Sequence, residues 1–193
     1  EAGEQLGGDS RFYMERISKS AARLSKMIDD VLNYSFQSQD RHVFETVSLQ
    51  SAVADVLDDL ELVITEKDAV IDLGQLPEVE GVPVMLSQLF YNLIMNSLKF
   101  ARPDVRPRIE IFCTREEDAG NSGQIRYEFT VRDNGIGFAP QYAERIFGLF
   151  KRLHRDEYPG TGLGLAICRR IVERYRGRMW AESEGEDKGA TFY

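Results

Sequence analysis

Met14, Ile17, Ala21, Leu24, Ile28, Val31 and Ser35 follow one another at alternating steps of three and four residues, the seam spacing of a coiled coil or helical bundle. A single long helix is expected over residues 10–38, with Asp9 or Ser10 available to cap its start. Such a stripe packs against its own chain more often than against a second copy, so by itself it does not choose between the two. The polar run Gln37-Ser38-Gln39-Asp40 comes next. It marks the expected boundary between a helical segment, residues 1–38, and a larger domain, residues 39–193.

Past that boundary the periodicity alternates between strand and helix. A strand is expected near residues 44–49, an amphipathic helix over 50–67 and a strand near 70–73. A second helix should begin at Val82-Pro83, since proline suits a first helical turn, and it ends before Pro103. Ile109, Ile111 and Cys113, then Ile125, Tyr127, Phe129 and Val131, alternate as two strands of a hairpin, each with its named residues on a buried face. The turn-forming residues 118–123 join them. A long glycine-containing segment over 133–164 precedes a helix over 165–176 and two strands near 179–183 and 190–193. The packing that satisfies this order is α+β: a two-layer α/β sandwich with helices on one face of a mixed sheet, preceded by a long coiled-coil-type helix.

Composition narrows the chemistry. A formal net charge of −8 argues against a sequence-independent grip on nucleic acid. Cys113 and Cys168 stand far apart and in no metal-ligand spacing, which suits buried thiols in a reducing, cytoplasmic setting. No run approaches the roughly 18 apolar residues of a membrane helix, and no signal-peptide pattern opens the chain, so no direct membrane contact is expected of this segment. The last residues resemble a strand cut short, as in a piece of a longer protein.

Three features carry candidate chemistry. At about 100° per residue, Gln88, Asn92, Asn96 and Lys99 fall within an arc of about 80° on the second helix of the domain, apart from the face formed by Leu86, Leu89, Phe90, Leu93 and Ser97. Such a stripe is ordinarily a solvated face, but amides a turn apart can also supply a hard oxygen to Mg²⁺, with a lysine beyond for phosphate. In the strand after it, the alternation Ile125, Tyr127, Phe129, Val131 reaches Asp133, so a carboxylate falls where an apolar side chain is called for. It either caps a tight turn or accepts from a buried donor such as the exocyclic amine of adenine, with Asn134-Gly135-Ile136-Gly137 supplying a backbone that can approach a ring. Third, Gly160-Thr161-Gly162-Leu163-Gly164-Leu165 directly precedes a helix. It can cradle phosphates or be only a flexible connection.

Taken in order, Asn92-x-x-x-Asn96-x-x-Lys99-Phe100, Asp133-Asn134-Gly135-Ile136-Gly137-Phe138, Phe147-x-x-Phe150 and Gly160-Thr161-Gly162-Leu163-Gly164-Leu165 resemble the asparagine, first glycine, phenylalanine and second glycine boxes of sensor histidine kinases. These belong to the wider ATPase superfamily of gyrase, a heat-shock chaperone and mismatch-repair proteins. Arg102-Pro103-Asp104 and Lys151-Arg152-Leu153-His154 resemble the phytochrome-like branch.

The resemblance implies ATP and Mg²⁺ as cofactors and a set of roles. Asn96 would ligate the metal, with Asn92 nearby, and Lys99 would face phosphate oxygens. Asp133 would receive the adenine amine, with Gly135 and Gly137 in the turn beside the ring and Thr191 completing the base pocket through water. Gly160 joins the phosphate segment, in which Gly162, Leu163 and Gly164 lend backbone donors. Residues 138–159 resemble a lid from which Lys151, Arg152 and His154 reach the nucleotide. Asn92, Lys99 and Arg152 are the candidate catalytic residues for moving the γ-phosphoryl group to a histidine.

The same likeness makes the N-terminal helix the second helix of a dimerisation domain. It implies a homodimer, an upstream sensor domain and a response-regulator receiver as partners. The family's phosphoacceptor histidine precedes an acidic residue on the first helix of that domain, and neither His42 nor His154 has that context. Departures from the pattern are local: Arg176 stands where a second glycine is common, and the turn over residues 185–189 is long. Two other readings carry weight. One is an ATP-hydrolysing clamp of the same superfamily, which typically has a glutamate where Asn92 stands; the other is a degenerate dimerising scaffold.

Overall fold

The computed structural model describes residues 12–14, 16–18, 21, 43–117, 125–153, 158 and 160–193. Most of the expected N-terminal helix and seam lies outside them, as do His42, His154 and the hairpin turn over 118–123; residues 12–14, 16–18 and 21 are helical and solvent-facing.

β1 (Glu45–Ser48) pairs antiparallel with β3 (Glu78–Gly81) in a small sheet of its own. Ser48 caps α1 (Leu49–Asp59) by accepting from the Ser51 amide at 3.3 Å. The single helix expected over 50–67 is two: α1 stops at Leu60 and α2 (Glu61–Glu66) restarts. Asp58 and Asp59 place negative charge at the negative end of α1, while Glu61 suits the positive end of a new helix. The Leu60 amide accordingly splits its bond between the carbonyls of Val56 and Leu57. The strand β3 is not legible from periodicity, because Glu-Val-Glu-Gly is too short and acidic to look like a strand.

The main sheet has five strands in the order β2-β4-β5-β7-β6: Val70–Leu73, Arg108–Glu117, Ile125–Asp133, Ala190–Phe192 and Ala181–Glu182. β2 and β4 are parallel and the remaining pairs antiparallel, which makes the sheet mixed as expected. Its register separates the faces cleanly. Leu73, Ile111, Val131, Phe192 and Ala181 form one row and belong to the core, whereas Asp72, Glu110, Arg132, Thr191 and Glu182 form the neighbouring row on the opposite face. Arg108 bridges Asp72 and Glu110 on that polar face, at 2.8 and 3.4 Å.

The helices α1, α3 (Pro83–Lys99) and α4 (Gly164–Arg174) cover the apolar face. Phe90, Leu93, Ile94 and Leu98 of α3 sit on Ile109, Ile111 and Val131, alongside Val53 and Val56 of α1. A smaller cluster of Val82, Met85, Leu163, Ile167 and Ile171 joins the start of α3 to α4. The β4–β5 hairpin outruns this cover: Ile125 and Tyr127, expected to be buried, are 46% and 37% exposed because no helix reaches them.

Nothing in the side chain of Val82 can cap α3. Its buried amide donates to the Tyr175 hydroxyl at 2.8 Å instead, across 93 residues of sequence. Tyr175→Phe therefore leaves that N–H without an acceptor and costs about 1–2 kcal/mol, read as a lower denaturation midpoint with an unchanged slope.

Candidate functional site

Ile71, Ile109, Asp133 and Ala190 lie side by side across β2, β4, β5 and β7, so Asp133 occupies an apolar row on the helix-covered face. Three donors meet it. The amides of Gly135 and Ala190 donate to Oδ1 at 2.9 and 3.2 Å, and the Ser97 hydroxyl, which also lies 3.2 Å from the Leu93 carbonyl, faces Oδ2 at 3.2 Å. Burial pushes the Asp133 carboxyl above the ordinary carboxylate range, and the three hydrogen bonds offset only part of that push. A carboxylate oxygen accepts more than one donor, so the side chain keeps capacity toward the cleft it lines.

That cleft has a volume of about 540 Å³, within the range of small-molecule sites. α3 contributes Asn92, Asn96 and Lys99 from its polar stripe, with Tyr91 and Met95 beside them. Across from them stands Gly164, the first residue of α4. A Cβ there would come 3.5 Å from Asn92 Oδ1 and 3.8 Å from Asn96 Nδ2, so the backbone of α4 abuts both amides. No side chain caps the amino end of α4, whose first residues Gly164 and Leu165 line the cleft. Asn92 Nδ2 is buried with no hydrogen-bond partner. The Asn92 amide also opposes, weakly, the upward push that burial gives the adjacent Cys168 thiol, but no bond of normal geometry reaches Nδ2.

The cations converge from two sides. Lys99 Nζ lies 4.4 Å over the Phe100 ring and against Gly160, where a Cβ would fall 2.7 Å from it. Lys151 and Arg152 line the cleft from the segment after the phenylalanine box, and Arg152 Nη2 donates to the Tyr158 carbonyl. The Tyr158 ring is 5.1 Å from Phe100.

Gly137, Gly160 and Gly162 complete the set of expected residues that line the cleft. Gly137 has φ +62° and a Cβ there would strike the Gly185 carbonyl at 2.3 Å, so packing under the 185–189 turn demands this glycine. Three expected residues do not line it. Gly135 is pressed against the Phe100 carbonyl and acts through its amide on Asp133. Leu163 is buried in the smaller apolar cluster. Thr191 belongs to the polar row on the far face, because β7 alternates and presents Ala190 and Phe192 to the cleft instead.

Sequence reasoning misses Val63 within α2 and Lys67 at its carboxyl end, which also line the cleft, and the part of Ser97 in holding Asp133. A lone serine within the apolar stripe of α3 is the available signal.

The donor set suits an anionic ligand with an amine: an uncapped helix start, an orphan amide N–H, converging cations and a buried acceptor. Among the described residues no cluster of three or more His, Cys, Asp or Glu could hold a metal alone, so a divalent cation here would share an Asn96 oxygen with ligand oxygens. The family described as histidine kinase-, DNA gyrase B- and HSP90-like ATPase matches residues 81–193. The chain belongs to this family. Cyanobacterial phytochrome A of Nostoc sp. (strain PCC 7120) is 43% identical over 192 residues, covering 98% of this chain and 24% of that protein. Phytochrome-like protein Cph1 of Synechocystis sp. is 40% identical over 191 residues, again 98% and 24%. The chain thus spans about a quarter of the length of these curated relatives. The crystal structure of full-length ShkA in complex with AMPPNP is similar with a TM-score of 0.70 and 26% identity, over 97% of this chain and 38% of that one. Fold and family agree that this is a histidine kinase-type ATPase domain.

A carboxyl whose folded-state pKa is raised favours the folded state most at low pH and loses that advantage as pH rises through the folded value. Asp133→Asn removes the charge while keeping an acceptor for Gly135 and Ala190. In the ligand-free domain it should melt higher than the parent by a few degrees near neutral pH. That difference should vanish as the pH falls into the ordinary carboxylate range, measured by paired thermal melts at each pH.

Proposed function

We propose that this chain is the ATP-binding catalytic part of a two-component sensor histidine kinase and presents the γ-phosphoryl group of Mg-ATP to a histidine on a dimerisation domain. A receiver domain of a response regulator would accept the group in turn. One observation carries the reading: the two α3 amides, the partly buried Asp133 and the glycine-flanked start of α4 line a single cleft. ShkA, similar over almost the whole chain, was crystallised with AMPPNP, which favours ATP as the ligand here.

In this reading Asp133 takes the exocyclic amine of adenine, an interaction that no base lacking that amine would satisfy, since a buried acceptor left without its donor is costly. Asn96 would offer its amide oxygen to the metal, and Asn92, whose Nδ2 lacks a partner, would donate to a phosphate oxygen. Lys99, Lys151 and Arg152 neutralise phosphate charge, while the amides at Gly162 and Gly164 point donors at the same oxygens. Mg²⁺, when bound with the triphosphate, supplies further neutralisation at the phosphate oxygens. Phosphoryl transfer relies chiefly on placement and charge neutralisation, and these residues do both. The same proposal assigns residues 1–38 to a dimerisation segment and 39–193 to the nucleotide-binding domain. In support, Val47, Leu49 and Val53 already belong to the main core. The parent protein would be a homodimer with an upstream sensor domain, working in the cytoplasm.

Calorimetry separates the roles. Asp133→Asn should weaken both adenosine and Mg-ATP by about tenfold or more, whereas Asn96→Asp should weaken Mg-ATP and spare adenosine. The exposed Asp55→Asn should change neither; equal affinities across all three variants would sink the pocket. Because neither His42 nor His154 has the context of an acceptor, the chain incubated with labelled ATP should gain no acid-labile label.

A further inference from the structure

Arg169 stands on α4, about one and a half turns past Gly164, and no role in nucleotide binding falls to it by position, since it does not line the cleft. Its guanidinium carbon lies 4.1 Å over the ring of Phe147, which is 4% exposed, and its Nη2 lies 3.0 Å from Glu144 Oε2. Glu144 immediately precedes a short 3-10 turn, Arg145–Phe147, and Phe147 ends it. The guanidinium therefore grips this turn by its face and by its charge at once.

The chain beyond the turn is held tightly. The Gly148 amide donates to the Arg145 carbonyl and the Lys151 amide to that of Gly148, at 3.1 and 3.2 Å. Phe150 sits in the left-handed region at φ +58°, a strained setting for an aromatic residue that only a well-determined neighbourhood maintains. Gly162, with φ +77°, lets the chain close: a Cβ there would fall 2.9 Å from both the Lys151 carbonyl oxygen and the Phe150 carbonyl carbon. Contacts thus run in a ring, from α4 through Arg169 to Phe147, along the turn to Lys151, across to Gly162 and back into α4 at Gly164.

We infer that Arg169 is a positioning residue for the phosphate end of the cleft. By fixing Phe147 and Glu144 against α4 it sets where the backbone of Lys151 and Arg152 stands relative to the amino end of that helix. The two sources of positive charge, side chains on one segment and amides on the other, come into register through it. Glu144 is largely exposed and contributes the weaker half of the grip, and the stack on buried Phe147 is the stronger half. The inference rests on the nucleotide reading above and deepens it, because it assigns Arg169 to the triphosphate rather than to the base.

The test compares adenosine, which can reach only the base pocket, with Mg-ATP, using calorimetry on the whole chain. Arg169→Met keeps an apolar stem on Phe147 and removes the guanidinium. It should lose roughly five- to tenfold in Mg-ATP affinity while adenosine binding stays within about twofold of the parent. Glu144→Gln, a surface change that cannot unfold the domain, should show the same selective loss at roughly twofold. In an Arg152→Ala background the Arg169→Met loss should shrink, since the group being positioned is gone. Equal loss of adenosine and Mg-ATP, or no loss of either in a chain whose parent binds both, overturns the role of Arg169 and leaves the nucleotide reading standing. Failure of the parent chain to bind either ligand overturns both.

Discussion

A carboxylate in an apolar row is the constraint around which the domain is arranged. Asp133 could not be held there without donors, and the three it has come from three places: Ser97 on α3, Gly135 in the turn after β5 and Ala190 on β7. The bonds that make the buried acid tolerable also set α3 over the sheet and hold the last strand against β5. Burial still outweighs those bonds, since the carboxyl's pKa remains raised.

The other end of the cleft works by the opposite means. There the structure withholds groups instead of adding them: no Cβ at Gly160, Gly162 or Gly164 and no side-chain cap on α4. A Cβ would fall 2.7 Å from Lys99 Nζ at Gly160 and 2.9 Å from the Lys151 carbonyl oxygen at Gly162, so those two close approaches need bare positions, while at Gly164 it would make only ordinary contact with Asn92 and Asn96. An acceptor at the Asp133 end and a concentration of donors at the α4 end give the cleft a polarity, which matches a ligand carrying an amine at one end and negative charge at the other.

Much of this is legible in the sequence, for a definable reason. Side-chain period is a local property, so the amide stripe of α3, the inward direction of Asp133 and the hairpin can all be read from spacing. Spacing does not carry where cover ends or what a missing side chain would strike. Ile125 and Tyr127 alternate correctly yet protrude past the helices. Their sequence context suggests that Gly135 and Gly137 make room for a ring; they make room for the Phe100 carbonyl and the 185–189 turn. Resemblance places Thr191 in the site, although the same alternation that puts Asp133 inward puts Thr191 outward, once the register of β7 against β5 is known. The breaks at Leu60 and at β3 depend on helix-end charge and on a pairing partner about 30 or more residues away, neither of which periodicity sees.

The hydrogen bond from Ala190 to Asp133 spans 57 residues, and the one from Val82 to Tyr175 spans 93. Such distances mean the cleft is finished late. During vectorial synthesis on a ribosome, α3 and β5 emerge well before β7, and until then the Asp133 carboxyl lacks one of its anchors and the sheet lacks the strand that walls the cleft beside it. A nascent chain halted before Ala190 would carry every residue of the amide stripe and most of the cleft lining, but neither the Ala190 amide that steadies Asp133 nor the two β7 side chains that complete the wall.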